Sequence, residues 1–184
     1  MTKKTKPGAL AFCALALIAA PLSAHADAAK DLQVAGRALT FLENGPTGKA
    51  TLGVVFDPSK PASVAEKNAV MAALGAGMSA GALTLVGKPV EAGDAGGVSG
   101  VAALYITTGV NAGPVGAAAK GKKIITIGSD MSCVTSGACV MSVSADPKVE
   151  IVVNRAAAAA VAFLAEVLLE LALPLTSLYT YIYI

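Results

Sequence analysis

Two cysteines six positions apart, Cys133 and Cys139, are the side chains whose type and spacing most clearly indicate chemistry. The five residues between them include Ser136 and Gly137, which let the chain turn and bring two Cα atoms within the ~6 Å that a disulfide requires. A redox-sensing pair is the alternative, although the Cys-x-x-Cys spacing and an obvious thiolate-stabilising neighbour are missing. The spacing therefore predicts a disulfide, provided that the chain reaches an oxidising compartment.

Other residues that could support catalysis do not form a coherent set. The pattern Gly77-x-Ser79-x-Gly81 has the spacing of a nucleophile elbow, in which a turn between a strand and a helix holds a serine beside a histidine base. Here the pattern follows a predicted helix, and His25 is the only histidine. The overlapping run over residues 75–80 is a degenerate dinucleotide-binding fingerprint, but it lies at the end of a predicted helix, where the dipole disfavours a bound phosphate. His, Cys, Asp and Glu residues are not grouped at the spacing of metal ligands. The sequence therefore predicts a protein that is not an enzyme and has no metal or cofactor site.

The first 26 residues have the layout of a secretory signal peptide. Three lysines are followed by an apolar run over residues 9–20, and Ala24-His25-Ala26 supplies the small residues of a cleavage site. The apolar run is too short for a comfortable transmembrane helix, and an uncleaved N-terminal anchor is the alternative. Cleavage after Ala26 would release the chain into the periplasm, an oxidising compartment that suits a disulfide.

Composition excludes further classes of protein. The chain has 184 residues, of which 55% are hydrophobic and 14% charged. It is too apolar to be disordered, and it is interrupted too often by glycine and charge to be a polytopic membrane protein. Loss of residues 1–26 removes three of the fourteen basic residues and none of the twelve acidic ones, which changes the net charge from +2 to −1. A near-neutral chain without a basic stripe argues against nucleic acid as a partner.

Residues 27–160 are predicted to form one α/β domain. Short apolar runs typical of buried strands alternate with amphipathic or alanine-rich stretches typical of helices. Helices are expected over residues 27–44, 63–74, 114–119 and 155–174, and strands over 51–56, 82–86, 101–106, 123–128, 139–144 and 148–153. This order predicts a layered sheet, mostly parallel, with helices packed on it and a C-terminal antiparallel hairpin formed by the last two strands.

A capping box marks the expected start of the second helix. In Ser63-Val64-Ala65-Glu66 the serine hydroxyl could accept the backbone N–H of Glu66, and the glutamate could reach back to the serine N–H. Gly75 is placed to end the same helix. The sequence therefore predicts that this helix begins at Ser63 and ends near Leu74.

The C-terminal half of the domain resembles the YfiR-like periplasmic proteins. The resemblance is carried by residues 121–130, which form a strand ending in Ser129-Asp130, by the cysteine loop, and by the run from Val149 to Ala157. In that run a hydrophobic strand containing Ile151 and Val153 ends in Asn154 before an alanine-rich helix. The match extends over residues 34–159, and Asp130, Ile151, Val153 and Asn154 occupy family-type positions.

The resemblance implies a function without catalysis. YfiR-like proteins are understood to repress an inner-membrane diguanylate cyclase by binding its periplasmic portion, which lowers cyclic-di-GMP output and biofilm formation. By this similarity Cys133 and Cys139 correspond to the family's C-terminal disulfide, and Asn154 stands at a strand-to-helix junction where an N-cap is physically natural. A homodimer is a further possible partner arrangement. The alternative function is a small periplasmic solute-binding module that uses the crevice at the strand ends.

Residues 161–184 depart from the family pattern. They contain no Lys or Arg and only two acids, Glu166 and Glu170. The two carboxylates and Pro174 argue against a membrane span, so an apolar helix and tail packed on the sheet is the expectation. A reading-frame artefact is the alternative. The final Tyr and Ile residues alternate as in a strand, which would be a hazard unless it is paired.

Overall fold

A computed structural model of the chain describes residues 23–41, 45–145, 147–161 and 179–183. The predicted signal peptide and the apolar segment after Val161 fall largely outside these ranges. The helices are α1 (Ser23–Thr40), α2 (Pro61–Leu74), α3 (Ala112–Gly121), α4 (Met131–Thr135) and α5 (Arg155–Ala160), with a short 3-10 helix at Ala92–Gly97. The strands are β1 (Gly48–Phe56), β2 (Met78–Ala80), β3 (Leu83–Glu91), β4 (Ala103–Ile106), β5 (Ile125–Gly128), β6 (Met141–Ser144), β7 (Glu150–Asn154) and β8 (Tyr179–Tyr183).

These strands form one sheet in the order β2-β3-β1-β4-β5-β6-β7-β8. The five strands from β3 to β6 in this order are parallel, whereas β2 pairs antiparallel with β3, and β7 pairs antiparallel with β6 and β8. The predicted α/β class, the mostly parallel sheet and the C-terminal hairpin are therefore confirmed. Counted along the chain, the parallel strands have the doubly wound order 2-1-3-4-5, which reverses direction between β1 and β4.

The sheet separates two hydrophobic cores. On one face, Leu32 and Leu39 of α1 pack with Val70 and Leu74 of α2, and α5 adds Ala157. On the other face, α3 and α4 supply a second cluster that contains Val115 and Val134. Alternation along β1 explains how one strand serves both, because Leu52 and Val54 belong to the first cluster and Val55 to the second.

The second helix begins earlier than the capping box predicts. Helix α2 starts at Pro61 after Lys60, and no side chain caps it. Proline is favoured at this first position because its missing N–H has no partner in a helix anyway. Ser63 is instead completely buried, and its hydroxyl bonds to that of Thr107, the residue that follows β4. The predicted capping box is therefore wrong, whereas the predicted end at Leu74 and Gly75 is confirmed.

Several boundaries differ from the predicted ones. The glycine-rich segment around Ser79 contains the short strand β2, and the segment after Asp130 contains helix α4, where only loops were expected. The first helix begins at Ser23 and ends at Thr40. Strand β8 occupies the edge beside β7 over five residue pairs, from Glu150 opposite Tyr183 to Asn154 opposite Tyr179. The alternating run at the end of the chain is therefore paired along one side.

Candidate functional site

The two cysteines form a disulfide, in agreement with the prediction from their spacing. Their Cα atoms lie 5.1 Å apart, and both side chains are buried against the face of the sheet that carries α3. The bond closes residues 133–139, and we call the segment 130–140 around it the cysteine loop. Helix α4 forms the first part of this loop. Gly137 then turns the chain back with a φ of 73°, a backbone conformation that residues other than glycine rarely adopt.

Asp130 holds the start of the cysteine loop. It is the N-cap of α4, and its Oδ1 accepts hydrogen bonds from the backbone N–H of Cys133 at 3.1 Å and from the Ser132 hydroxyl. A carboxylate at this position satisfies one of the free N–H groups of the helix and is favoured by the helix dipole. Asp130 therefore fixes the helix that carries the first cysteine.

Asn154, the last residue of β7, holds the middle of the cysteine loop. Its side chain is 3% exposed, and Oδ1 accepts the backbone N–H of Ala157 at 2.9 Å, which makes Asn154 the N-cap of α5. Its Nδ2 donates to the carbonyl oxygen of Val134 in α4 at 2.9 Å. One amide thus joins the helix of the cysteine loop to the start of the last described helix.

Thr126 holds the end of the cysteine loop and is a residue that sequence reasoning missed. Its buried Oγ1 donates to the carbonyl oxygen of Ala138 at 3.0 Å, and the N–H of Val140 lies 3.1 Å from the same hydroxyl. Val140 also accepts the backbone N–H of Asn154 at 2.9 Å. A polar residue in the middle of an otherwise apolar strand was the available signal, because a buried hydroxyl has to find a partner.

Ile151 and Val153, which the sequence pattern also singled out as candidate site residues, lie apart from Asp130 and Asn154. Both are 6% exposed and belong to the core on the opposite face of the sheet, with α1 and α5. Val152 between them faces the cysteines. The structure therefore brings Asp130 and Asn154 together around the disulfide, and it assigns Ile151 and Val153 to packing.

A cleft of about 590 Å³ lies between α3 and the cysteine loop. It opens at the carboxyl ends of β4 and β5, where ligands bind in open α/β sheets. Its apolar lining includes Ile106, Val110, Ala117, Cys133 and Ala138, and its polar lining includes Thr107, Asn111, Lys120, Asp130, Ser132 and Ser136. The disulfide therefore forms part of the wall of a cavity.

The point where the strand order reverses is filled by hydrogen-bonded side chains. The N–H of Asp57 donates to Ser63 Oγ at 2.9 Å, Ser63 and Thr107 share a 2.7 Å contact between hydroxyl oxygens, and Thr107 donates to the carbonyl oxygen of Val55 at 2.9 Å. Because each hydroxyl has one proton, Ser63 must donate to Thr107. This chain of bonds joins the carboxyl ends of β1 and β4, and the open cleft lies beside it, at β4 and β5.

A second polar contact ties α2 to the loop after β4. Glu66 accepts the backbone N–H of Thr108 at 2.7 Å through Oε2 and the hydroxyl of Tyr105 at 3.1 Å through Oε1. Burial of Tyr105, followed by the nearby charge of Glu66, raises the pKa of the Tyr105 phenol. Lys60 adds a hydrogen bond from Nζ to the carbonyl oxygen of Gly109. These contacts hold the loop that forms the rim of the cleft.

The described part of the chain has neither a cluster of metal ligands nor a membrane-spanning helix. Within residues 23–41, 45–145, 147–161 and 179–183, no three His, Cys, Asp or Glu side chains are grouped closely enough to hold a metal ion. No helix in these ranges combines the length and apolar character needed to cross a membrane. The candidate site described above therefore consists of the disulfide and the adjoining cleft.

Comparison with known proteins adds no relative to this description. Neither a scan of the sequence against models of known protein families nor a search among curated proteins finds a match. The class of protein defined by the structure is a doubly wound α/β domain whose cysteine loop is closed by a disulfide.

Proposed function

We propose that this chain is a non-enzymatic regulatory protein of the periplasm that acts by binding the periplasmic part of an inner-membrane signalling protein. The observation that carries the proposal is the bracing of the cysteine loop by Asp130, by the disulfide and by Asn154. These are the residues on which the YfiR-like resemblance depends. Because all of these residues hold the same loop in place, they support a role for that loop in recognition.

The braced loop presents an apolar side chain to solvent. Met131, the first residue of α4, is 39% exposed, and together with Phe41 it is one of two large hydrophobic side chains exposed in the part of the chain with described burial. A loop that is already fixed loses little conformational entropy on binding, so more of the contact energy appears as affinity. Methionine suits such a contact because its flexible thioether adapts to a partner's surface.

By the same resemblance, the partner is a membrane diguanylate cyclase and the effect of binding is repression. The protein would then lower cyclic-di-GMP and biofilm formation. In this proposal the domain has no reaction to catalyse, and its output is the activity of the partner.

The experiment is co-purification of the protein with the periplasmic domain of a membrane cyclase from the same cell. We expect Met131→Lys to weaken capture by at least about tenfold, because it introduces an unpaired charge into an apolar contact. Phe41→Lys is the matched control, because Phe41 is 66% exposed at the end of α1, a helix packed on the other face of the sheet. Equal capture of both variants, or unchanged cyclic-di-GMP after deletion of the gene, would contradict the proposal.

The cleft favours a second candidate function, a small periplasmic solute-binding module. Pockets of this size with an apolar lining and a few polar groups are typical ligand sites. A thermal-shift screen against amino acids, peptides, sugars and nucleotides tests this candidate, since a ligand that binds the folded state raises the melting temperature. A screen in which no solute changes the melting temperature would refute it.

A further inference from the structure

Two groups of opposite charge line the cleft between α3 and the cysteine loop without pairing with each other. Lys120 Nζ has no hydrogen bond or ion pair to any described residue, and Asp130 makes its bonds to Ser132 and Cys133 through Oδ1 alone. Both residues are partly buried. Asp130 Oδ2 and Lys120 Nζ are therefore available to a molecule that enters the cleft.

The two charges belong to opposite ends of β5. Asp130 follows the carboxyl end of this strand at Gly128, and Lys120 precedes its first residue, Ile125, in the helix that runs back along the sheet. Ile125 and Gly128 are three residues apart, which corresponds to roughly 10 Å of strand. The two backbone positions are thus separated along the sheet, which favours an elongated ligand with a positive group near Asp130 and a negative group near Lys120.

The end of the cleft near Asp130 is suited to an ammonium group. Asn111 lines the same cleft, and its side-chain amide has no partner among the described residues, so its oxygen adds a second acceptor. The N-terminus of α3 also lies at this end and carries about half a positive charge, which is less than the full negative charge of Asp130. The balance at this end is negative.

The middle of the cleft is apolar. Ala117 of α3, Cys133 and Ala138 supply small side chains between the two charged ends. Such a lining can bury a few methylene groups or a small side chain, each methylene contributing about 0.8 kcal/mol when fully buried. An apolar segment between two opposite charges is the complement of this arrangement.

We propose that this cleft binds a small zwitterion whose ammonium and carboxylate lie at opposite ends of the molecule, as in an ω-amino acid or a dipeptide. The inference rests on the second candidate function and names its ligand class. An α-amino acid contacts one charge only, because its ammonium and carboxylate are attached to the same carbon. Recognition depends on the ligand's length as well as on its charges.

Isothermal titration of the purified protein with glycine, 4-aminobutanoate, 6-aminohexanoate and dialanine tests the proposal. We expect 6-aminohexanoate and dialanine, in which the two charges are farthest apart, to bind. Hexanoate and hexylamine each lack one charge and should bind about tenfold or more weakly. Lys120→Gln and Asp130→Asn should each weaken binding of 6-aminohexanoate by a similar factor. Asparagine is a good N-cap, so Asp130→Asn retains the start of α4.

The matched controls are Lys49→Gln and Asp94→Asn, which neutralise exposed residues outside the cleft and should leave binding unchanged. Absence of binding by every zwitterion at about 1 mM would overturn the proposal. Binding that survives in Lys120→Gln and Asp130→Asn would overturn it equally. If sugars or nucleotides stabilise the protein while zwitterions do not, the ligand class is wrong and the solute-binding candidate stands. If no solute stabilises it, both fail.

Discussion

Asn154 Nδ2 donates a hydrogen bond of 2.9 Å to the carbonyl oxygen of Val134, although the two residues lie 20 positions apart in the chain. The same side chain caps α5 through Oδ1. Because Asn154 is almost completely buried, both ends of its amide depend on these partners rather than on water. The position of the cysteine loop is therefore coupled to the start of α5 through one residue.

Replacement of Asn154 by aspartate should separate its two roles. Asn154→Asp retains an oxygen for the cap of α5, but it loses the donor to Val134 and buries a charge. We expect the free energy of unfolding to fall by about 3 kcal/mol, measured by urea denaturation. Asn111→Asp, at an exposed N-cap without a side-chain cap bond, is the control and should change stability by less than about 0.5 kcal/mol. A stable Asn154→Asp protein would contradict the role assigned to Nδ2.

The disulfide should contribute a moderate part of the stability. Its two cysteines are six residues apart, and closing so short a loop reduces the entropy of the unfolded chain by an amount worth about 2–3 kcal/mol. The double variant Cys133→Ser, Cys139→Ser should lose that amount in chemical denaturation. Reduction of the purified protein should add about two daltons to its mass. A protein isolated from its native compartment with two free thiols would refute the bridge.

The contact between α3 and the cysteine loop leaves no space for a side chain at Gly116. A Cβ atom there would lie 2.4 Å from the carbonyl oxygen of Ala138, which belongs to the backbone and cannot move alone. We expect Gly116→Ala to lower the unfolding free energy by about 2 kcal/mol or more. Gly121→Ala, at the open end of the same helix, is the control and should be neutral or slightly stabilising. Equal thermal stability of the two variants would count against this close packing.

Tyr105 should make the protein sensitive to alkali. Its pKa in the folded state lies above the ordinary value of 10.0, so above pH 10 the unfolded chain loses a proton that the folded chain retains. Stability is therefore unaffected below pH 10 and falls above it, by about 1.4 kcal/mol for each pH unit. Tyr105→Phe should remove this slope, at the cost of the bond to Glu66 near neutral pH. Urea denaturation at several pH values from 8 to 11 provides the measurement.

The three other tyrosines are all in β8 and are present in both proteins. Any effect they have is common to wild type and Tyr105→Phe and cancels in the difference between the two pH profiles. Parallel profiles for the two proteins would contradict the assignment to Tyr105.

Features that depend on local sequence were predictable. The spacing of Cys133 and Cys139 allows the disulfide, and Gly75 ends α2 because glycine favours that position after a helix. The alternation of strands and helices sufficed for the α/β class and the hairpin. Each of these signals lies within a few residues of the structure that it specifies.

Features that depend on distant partners were not predictable in the same way. Ser63 has the local pattern of an N-cap, but its hydroxyl is used by Thr107, which is 44 positions away, and Glu66 binds the loop after β4. Strand β2 is only three residues long and is held by its antiparallel register with β3. The cleft likewise combines α3 with the cysteine loop. These arrangements follow from the order of strands in the sheet, which no local pattern contains.

The position of strand β8 determines when the sheet can be completed as the chain is synthesised. The strand covers the outer edge of β7, yet β7 ends at Asn154 and β8 begins at Tyr179, so β7 is synthesised before its neighbour. Until Tyr179–Tyr183 arrive, the backbone groups on that edge lack their final partner, and an open strand edge attracts other chains. A molecular chaperone that binds exposed strand edges would have this interval in which to act.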